Sequence, residues 1–375
     1  MNKKIKVLVA MSGGVDSSVA AILLKEQGYD LVGVTMNLYC GTKASETGCC
    51  SLSAAADAKK VADKLGFPHY TLNFKDEFEK QVIENFIDEY KHGRTPNPCI
   101  RCNQFLKFDL LMQKAKELGA GFVASGHYAR IDKSEILNTK SETNPCLPAG
   151  TAKSEYPNYK LLKGKDDKKD QSYVLYRMTQ ETLAHTLFPL GDLTKEEVRK
   201  IARKHSLAVA EKAESQEICF VEDDDYIRFM REKAPEVVKP GNIIDLDGKV
   251  VGKHEGIAFY TIGQRKGVGA HKGIPMYVIK IDPGENTITI GGKESVFGKE
   301  LMAGEVSFID GKWPPKPIKV EAKIRYNSPV ADAVVTPLDQ GNAEVVFTKP
   351  QMAITPGQSV VFYQGEETIG GGIIR

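Results

Sequence analysis

The stretch Ile5–Gln27, IKVLVAMSGGVDSSVAAILLKEQ, constrains the fold more than any other part of the chain. An apolar run of strand length turns through Ser12, Gly13 and Gly14 into apolar residues at helical spacing, Val19, Ala20, Leu23 and Leu24. The pattern predicts a strand, a glycine turn and a helix. Adjacent glycines let backbone N–H groups approach a ligand with no Cβ in the way, and the helix dipole adds positive potential at the same point. An anion, phosphate above all, is expected there.

The loop is not a Walker A, because no Gly-Lys-Ser/Thr follows, and it lacks the dinucleotide G-x-G-x-x-G. As it stands, Ser12-Gly13-Gly14-Val15-Asp16-Ser17 resembles the pyrophosphate loop (PP-loop) of ATP pyrophosphatases, which adenylate an oxygen of their substrate. The bland alternative is an ordinary turn with a helix cap at Asp16 or Ser17.

At 375 residues the chain is expected to form two or three domains. Apolar residues make up 41%, yet no apolar run reaches the roughly 18 residues that a membrane helix needs. Met-Asn-Lys-Lys leads straight into the first strand and leaves no room for a signal peptide, so a cytoplasmic protein without membrane association is expected. A net charge of +2 announces no nucleic-acid binder by itself, so any such surface must be local. Seven cysteines, at 40, 49, 50, 99, 102, 146 and 219, suit thiol chemistry or metal binding better than a disulfide scaffold.

Asp30–Tyr39 predicts a second strand completing a right-handed βαβ unit, with Met36 near its carboxyl end as adenine neighbour or core residue. Cys40, Cys49 and Cys50 bracket a polar loop without clean metal-ligand spacing. A helix over Ser53–Leu65, a strand over Pro68–Phe74 and a helix over Glu77–Tyr90 continue the α/β alternation. In Gly93–Asn103, GRTPNPCIRCN, the prolines and glycine predict a rigid loop carrying Cys99 and Cys102, followed by a helix over Phe105–Leu118. Cys102 would then lie at a helix start beside Arg101, where a thiolate is favoured. Half a zinc knuckle is the alternative, and it lacks a second C-x-x-C.

A strand over Gly121–Ser125 delivers Gly126-His127-Tyr128 to the edge that carries the opening loop. His127 there faces either a ligand or the core. Residues 132–158 read as a polar insertion, and Lys163–Gln171 as a charged loop ahead of a helix starting near Ser172. Thr194-Lys195-Glu196-Glu197 is a capping box. Cys219, between Ile218 and Phe220, reads from its neighbours alone as a buried small hydrophobe. From Pro240 onward short alternating runs predict an all-β region, a small barrel or sandwich. Within it Gly256–Gly273 is glycine-rich and basic, and Lys312, Lys316, Lys319, Lys323 and Arg325 face the single acid Glu321, with Tyr326 available for stacking. This local basic patch points to RNA.

Taken together, these stretches resemble one family over nearly the whole chain, the tRNA-specific 2-thiouridylases (tRNA-uridine 2-sulfurtransferases). The resemblance rests on Ala10–Ser17, Asn97–Asn103, Gly126-His127, Lys169–Tyr173, Ser215–Phe220, Tyr260–Gly267, Arg325-Tyr326 and Gln358. It implies three domains: an adenine-nucleotide hydrolase-like α/β catalytic domain over 1–212, a central tRNA-binding or linking domain over 213–280, and a C-terminal β-barrel over 281–375. It implies ATP and Mg²⁺, with Ala10, Met11, Ser12, Gly13, Gly14, Val15, Asp16, Ser17, Met36 and Gly126 around the nucleotide and Asp16 near the ion. The reaction implied is adenylation of the C2 oxygen of the wobble uridine, then sulfur transfer from a persulfide on Cys219 with Cys102 as the partner thiol.

The same resemblance assigns Asn97, Pro98 and Cys99 to the target base. It assigns His127, Lys169, Asp170, Gln171, Arg325, Tyr326 and Gln358 to tRNA. Partners implied are tRNAs for Lys, Glu and Gln and a cysteine desulfurase or sulfur-relay protein. Some members carry Asp where Cys99 stands, in an acid/base role that a thiol does not fill equivalently. Competing readings are a [4Fe–4S] cluster on Cys99, Cys102 and Cys219, a PP-loop amidotransferase, and a tRNA-binding protein with a relic ATP loop.

Overall fold

The computed structural model describes residues 4–39, 52–132, 159–212, 218–221, 224–268, 270–271 and 273–375. Cys40, Cys49, Cys50, Cys146, the 133–158 insertion and Ser215–Glu217 lie outside the described residues.

Strand β1 (Lys6–Ala10) is followed by helix α1 (Val15–Glu26), β2 (Asp30–Asn37), α2 (Leu52–Leu65) and β3 (His69–Asn73). With β4 (Phe122–Ala124) and a short strand at Thr186–Leu187 they form a parallel five-stranded sheet whose order is β3, β2, β1, β4, Thr186–Leu187. Val7, Leu8 and Val9 are all fully buried, as a central strand covered on both faces requires. Successive side chains of β1 point to opposite faces, so Val7 and Val9 join a cluster with Val19, Ala20 and Ala58, while Leu8 joins the opposite cluster with Phe78, Phe86 and Leu106. The strand order reverses at β1, and the loops after β1 and β4 leave the same sheet edge side by side. Ligands of open parallel sheets bind at such a point.

One expectation is corrected here. The stretch around the two cysteines is not a loop, because a helix starts at Pro98–Arg101 and continues as a π-helical segment, Cys102–Leu110, then Leu111–Glu117. Proline fits a first helical position, where its missing N–H has no intrahelical partner to lose, and the Asn97 side chain caps the turn by accepting from Ile100 N at 3.4 Å.

The central domain is a four-stranded sheet, Tyr277–Asp282, Thr287–Gly291, Gly241–Ile244 and Val250–His254. The 280/281 division falls inside the first of these strands, whose antiparallel partner extends to Gly291. Six antiparallel strands between Phe297 and Ile374 form the terminal barrel, closed where Phe297–Phe308 pairs with Glu367–Ile374. To its wall the N-terminal domain adds a hairpin, β5 (Ala129–Asp132) and β6 (Lys160–Lys163), through Thr368 opposite Leu161. The α/β domain, the small central domain and the terminal barrel agree with the expected fold class.

Candidate functional site

The loop after β1 is held open by its own hydroxyls. Ser17 Oγ accepts from Ser12 N at 3.1 Å and Ser18 Oγ donates to Gly14 O at 2.8 Å, so the turn is tied to the first turn of α1. Gly13 sits at φ +68°, and a Cβ there would meet Ala54 O at 2.2 Å, so both backbone conformation and space demand glycine. Met11 is buried in the core, which leaves only its backbone to face a ligand, and Thr35 Oγ1 donates to its carbonyl at 2.7 Å. The α1 amides at 15–17 have no preceding helical carbonyl to bond.

Gly126 closes the loop from the side. A Cβ on it would lie 2.7 Å from Ser17 N and 2.8 Å from Asp16 C, so the turn after β4 packs directly on the start of α1. This cradle fits a nucleotide phosphate chain. Asp16 projects beside it, and Tyr128 Oη donates to its Oδ1 at 2.7 Å. Lys195 Nζ lies 2.8 Å from both carboxylate oxygens. The sequence placed Lys195 at a helix start but gave no sign of where its side chain goes. Lys212 adds a second ammonium, donating to Gly13 O at 3.2 Å and to Asp57 Oδ2 at 2.9 Å, and that hydrogen bond lowers the pKa of Asp57.

Cys102 is buried in the cluster that contains Leu8 and Val34, and Cys219 packs against the same cluster, as do Ala10 and Met36. The two cysteines and two of the residues expected around the nucleotide thus pack on one core although they lie far apart in sequence. Cys102 is not at a helix start as expected. The second helical position belongs to exposed Cys99, and Cys102 lies a turn further in. Arg101 reaches away, donating to Gln81 O at 2.7 Å and stacking over Phe105.

Among the described residues no three His, Cys, Asp or Glu side chains stand together as an ion site, so Cys99, Cys102 and Cys219 do not form a three-thiolate set in this arrangement. For Mg²⁺, Asp16 supplies one carboxylate at the phosphate cradle, which fits an ion whose other ligands are phosphate and water.

The residues expected at tRNA spend much of their polarity on partners within the protein. His127 is buried, its Nδ1 2.7 Å from Ser125 Oγ and its ring flanked by Phe108 and Phe188. Burial, helped by Lys107, holds its pKa well below the usual histidine value. Asp170 accepts from Gly164 N, Ser172 N and Ser172 Oγ, while Gln171 accepts from Tyr128 N. Half-exposed Lys169 stands beside them. Arg325 donates to Ile262 O, to Ala353 O at 2.7 Å and to Thr355 Oγ1, fastening the central domain to the barrel. Tyr326 meets Tyr173 edge-on, and Lys323 stands over both rings. Gln358 Nε2 donates to Thr95 O at 2.9 Å and Pro96 O at 3.2 Å, directly ahead of Asn97. Beside Asn97 a cavity of about 80 Å³ is lined by Ile100, Gln104, Tyr176 and Ser359.

Among the described residues no helix is long and apolar enough to cross a membrane. Residues 5–223 match the family described as a tRNA methyl transferase HUP domain, 228–292 its PRC-barrel domain, and 298–374 an aminomethyltransferase beta-barrel domain. Among solved structures, NMN synthetase from Francisella tularensis aligns with 57% of this chain and 67% of its own at 16% identity, with a TM-score of 0.32. Full-length relatives are much closer. The tRNA-specific 2-thiouridylase MnmA of Clostridium botulinum is 50% identical over 99% of this chain and 98% of its own. That of Clostridium perfringens is 49% identical over 100% and 99%, and that of Acetivibrio thermocellus 50% over the whole of both. The domain descriptions speak of methyl transfer and the relatives of thiolation, and the whole-chain identity at this level decides between them: the chain belongs to the tRNA-specific 2-thiouridylases.

Proposed function

We propose that this enzyme replaces the C2 oxygen of the wobble uridine of tRNA with sulfur at the expense of ATP. One observation supports the reading: Cys102 is buried in one hydrophobic cluster, and Cys219 packs against that cluster together with Ala10 and Met36, the residues assigned to the nucleotide. A protein that only bound nucleotide would not need two thiols on the core that its first strand packs against.

A uracil C2 oxygen is a poor leaving group. Its attack on the α-phosphate of ATP releases pyrophosphate and leaves the C2–O bond ready to break, with AMP as the departing group. The cradle of Gly13, Gly14 and the α1 amides holds the phosphates, Gly126 keeps that helix start in place, and a magnesium ion at Asp16 would neutralise the departing pyrophosphate. The sulfur arrives as the outer atom of a Cys219 persulfide, loaded by a cysteine desulfurase or a relay protein. The Cys102 thiolate attacks Cys219 Sγ, the S–S bond of the persulfide breaks, and hydrosulfide leaves. Hydrosulfide adds to C2 and expels AMP, while the new Cys102–Cys219 disulfide takes two electrons from an external reductant before the next turnover.

The Asn97–Cys99 turn, with Asn97 as its cap, Pro98 buried and Cys99 exposed, is the segment set to meet the base. The 80 Å³ space beside it is far below the roughly 300 Å³ of a usual ligand pocket, so an extruded uridine has to open it. The lysines on the outer face of the barrel, together with Lys169, supply charge for the tRNA backbone.

The test is mass spectrometry of nucleosides from unmodified tRNAs for Lys, Glu and Gln after incubation with ATP, Mg²⁺ and a persulfide-generating donor. 2-Thiouridine and stoichiometric AMP are expected. A methylated uridine, or no tRNA-dependent AMP, would overturn the reading.

A further inference from the structure

We propose that Lys195 is a ligand of the ATP phosphates, stored on Asp16 until the nucleotide arrives. The inference rests on the ATP-dependent reading above and adds a residue to it.

The backbone of Lys195 is fixed without help from its side chain. It is the first residue of the helix Lys195–Lys204, which begins with a complete capping box of Thr194 and Glu197, and its N–H donates to Asp166 Oδ2 at 2.9 Å. The side chain instead crosses to the phosphate cradle. There its ammonium bridges both oxygens of Asp16 at 2.8 Å, with only 12% of the side chain exposed. Lys200 on the same helix behaves as ordinary surface lysines do, 66% exposed and paired with Glu196 one turn back.

Asp16 has little need of that lysine. It lies in the first turn of α1, where the helix field already favours a carboxylate, and Tyr128 Oη donates to it. Helix field and ammonium together therefore present more positive charge than one carboxylate uses, at a cradle shaped for phosphate. A sequestered ion pair is costly when one partner leaves alone, but here both can change partner together. Asp16 would face the magnesium ion that accompanies the nucleotide and Lys195 a phosphate oxygen, so every charge would stay compensated before and after binding. The Tyr128 hydroxyl holds the carboxylate in position during the exchange. A lysine suits the task, being a compact charge on a flexible stem with three rotatable donors.

The experiment is calorimetric titration of the full-length protein with ATP·Mg²⁺ and, separately, with adenosine. Lys195→Met is expected to raise the Kd for ATP by roughly ten- to a hundred-fold, the value of a hydrogen bond to a charged group, while adenosine affinity stays at the wild-type value. Lys195→Arg should recover most of the loss, and Lys200→Met should change neither. If Lys195→Met fails to fold because Asp16 is left uncompensated, Asp16→Asn/Lys195→Met removes that charge. Compared with Asp16→Asn alone, it is expected to show the same ATP-selective loss. Unchanged ATP affinity, or equal losses for ATP and adenosine, overturns the assignment while leaving the proposed function intact. A wild-type protein that binds adenosine but gains nothing from the phosphates overturns both.

Discussion

Gly126 offers the sharpest way to separate the phosphate cradle from general stability. In Gly126→Ala the new methyl would sit 2.7 Å from Ser17 N and 2.8 Å from Asp16 C, whereas ordinary contact begins at 3.4 Å. The difference, 3.4 minus 2.7, is 0.7 Å, and it must be absorbed between two stretches of backbone because no flexible side chain intervenes. Overpacking of this kind costs about 1–3 kcal/mol of folding free energy. On the proposed function the larger effect falls on ATP binding, since the atoms pushed are amides assigned to the phosphates. Losing the equivalent of one charge-assisted hydrogen bond, about 1.5–3 kcal/mol, raises the Kd for ATP by roughly ten- to a hundred-fold. Titration calorimetry for affinity and tRNA-dependent pyrophosphate release for turnover read the change, with circular dichroism to confirm the fold. Gly121→Ala, just before the same strand, is the control, because a Cβ there meets nothing within 4 Å. Wild-type ATP affinity in a destabilised Gly126→Ala protein would refute the argument that this glycine shapes the cradle.

Three further outcomes are expected. Cys219→Ser should abolish 2-thiouridine while tRNA-dependent pyrophosphate release, which precedes sulfur transfer, continues, and retained thiolation, measured by nucleoside mass spectrometry, would remove Cys219 as carrier. His127, kept neutral by burial with its pKa well below 6.5, binds a proton more readily when unfolded. It therefore subtracts stability as pH falls through about 6.5, so urea midpoints of His127→Gln should be flatter between about pH 5 and 7 than those of wild type, and parallel curves would contradict this. Arg325→Met leaves the Ile262 carbonyl without its guanidinium and should cost about 1–3 kcal/mol, read as a lower denaturation midpoint with faster proteolysis between central and barrel domains. An unchanged midpoint and digestion pattern would show that the fastening is idle.

Much of this arrangement was legible because local pattern and tertiary role agreed. The strand–turn–helix at Ile5–Gln27 appears as β1 and α1, and the capping box at Thr194 forms with both its hydrogen bonds. Elsewhere one pattern admits two outcomes. Pro98 reads as a helix breaker and serves as a helix starter, the difference being one residue of register against the Asn97 cap. Lys319, Glu321, Lys323 and Arg325 alternate as the outer face of a solvated strand does. Yet Arg325 finds its acceptors on Ile262, Ala353 and Thr355, which only the folded chain brings near. Burial opposes its charge and depresses its pKa, with Tyr173 partly offsetting this. The 179-residue gap between Asp16 and Lys195 is beyond any periodicity argument. The barrel's recruitment of β5 and β6 is equally illegible, since edge pairing depends on which edge is offered.

The same logic explains why a C-terminal barrel matters to chemistry in the first domain. Pro98–Arg101 is the first turn of a longer helix, where the leading amides have no intrahelical partner and the entering chain is not held by the helix itself. The residues ahead of it are pinned instead. Thr95 N donates to Pro356 O at 2.8 Å, Thr95 Oγ1 lies 3.0 Å from Thr261 Oγ1, and Gln358 holds the carbonyls of Thr95 and Pro96. Gly357 admits this contact, as a Cβ there would strike Thr95 N at 2.8 Å. Central and terminal domains thus grip the strap that leads into Asn97, and Arg325 fastens those two domains to each other. On the proposed function, a tRNA bound along the barrel's basic face is held in the same rigid frame as the turn that meets its uridine. Adenylation requires the C2 oxygen and the α-phosphate to stand within about 3–3.5 Å in line. Backbone hydrogen bonds across a closed interface preserve that registration. Gln358 and Arg325 can therefore govern the reaction as positioning residues, through the strap, whether or not either touches RNA.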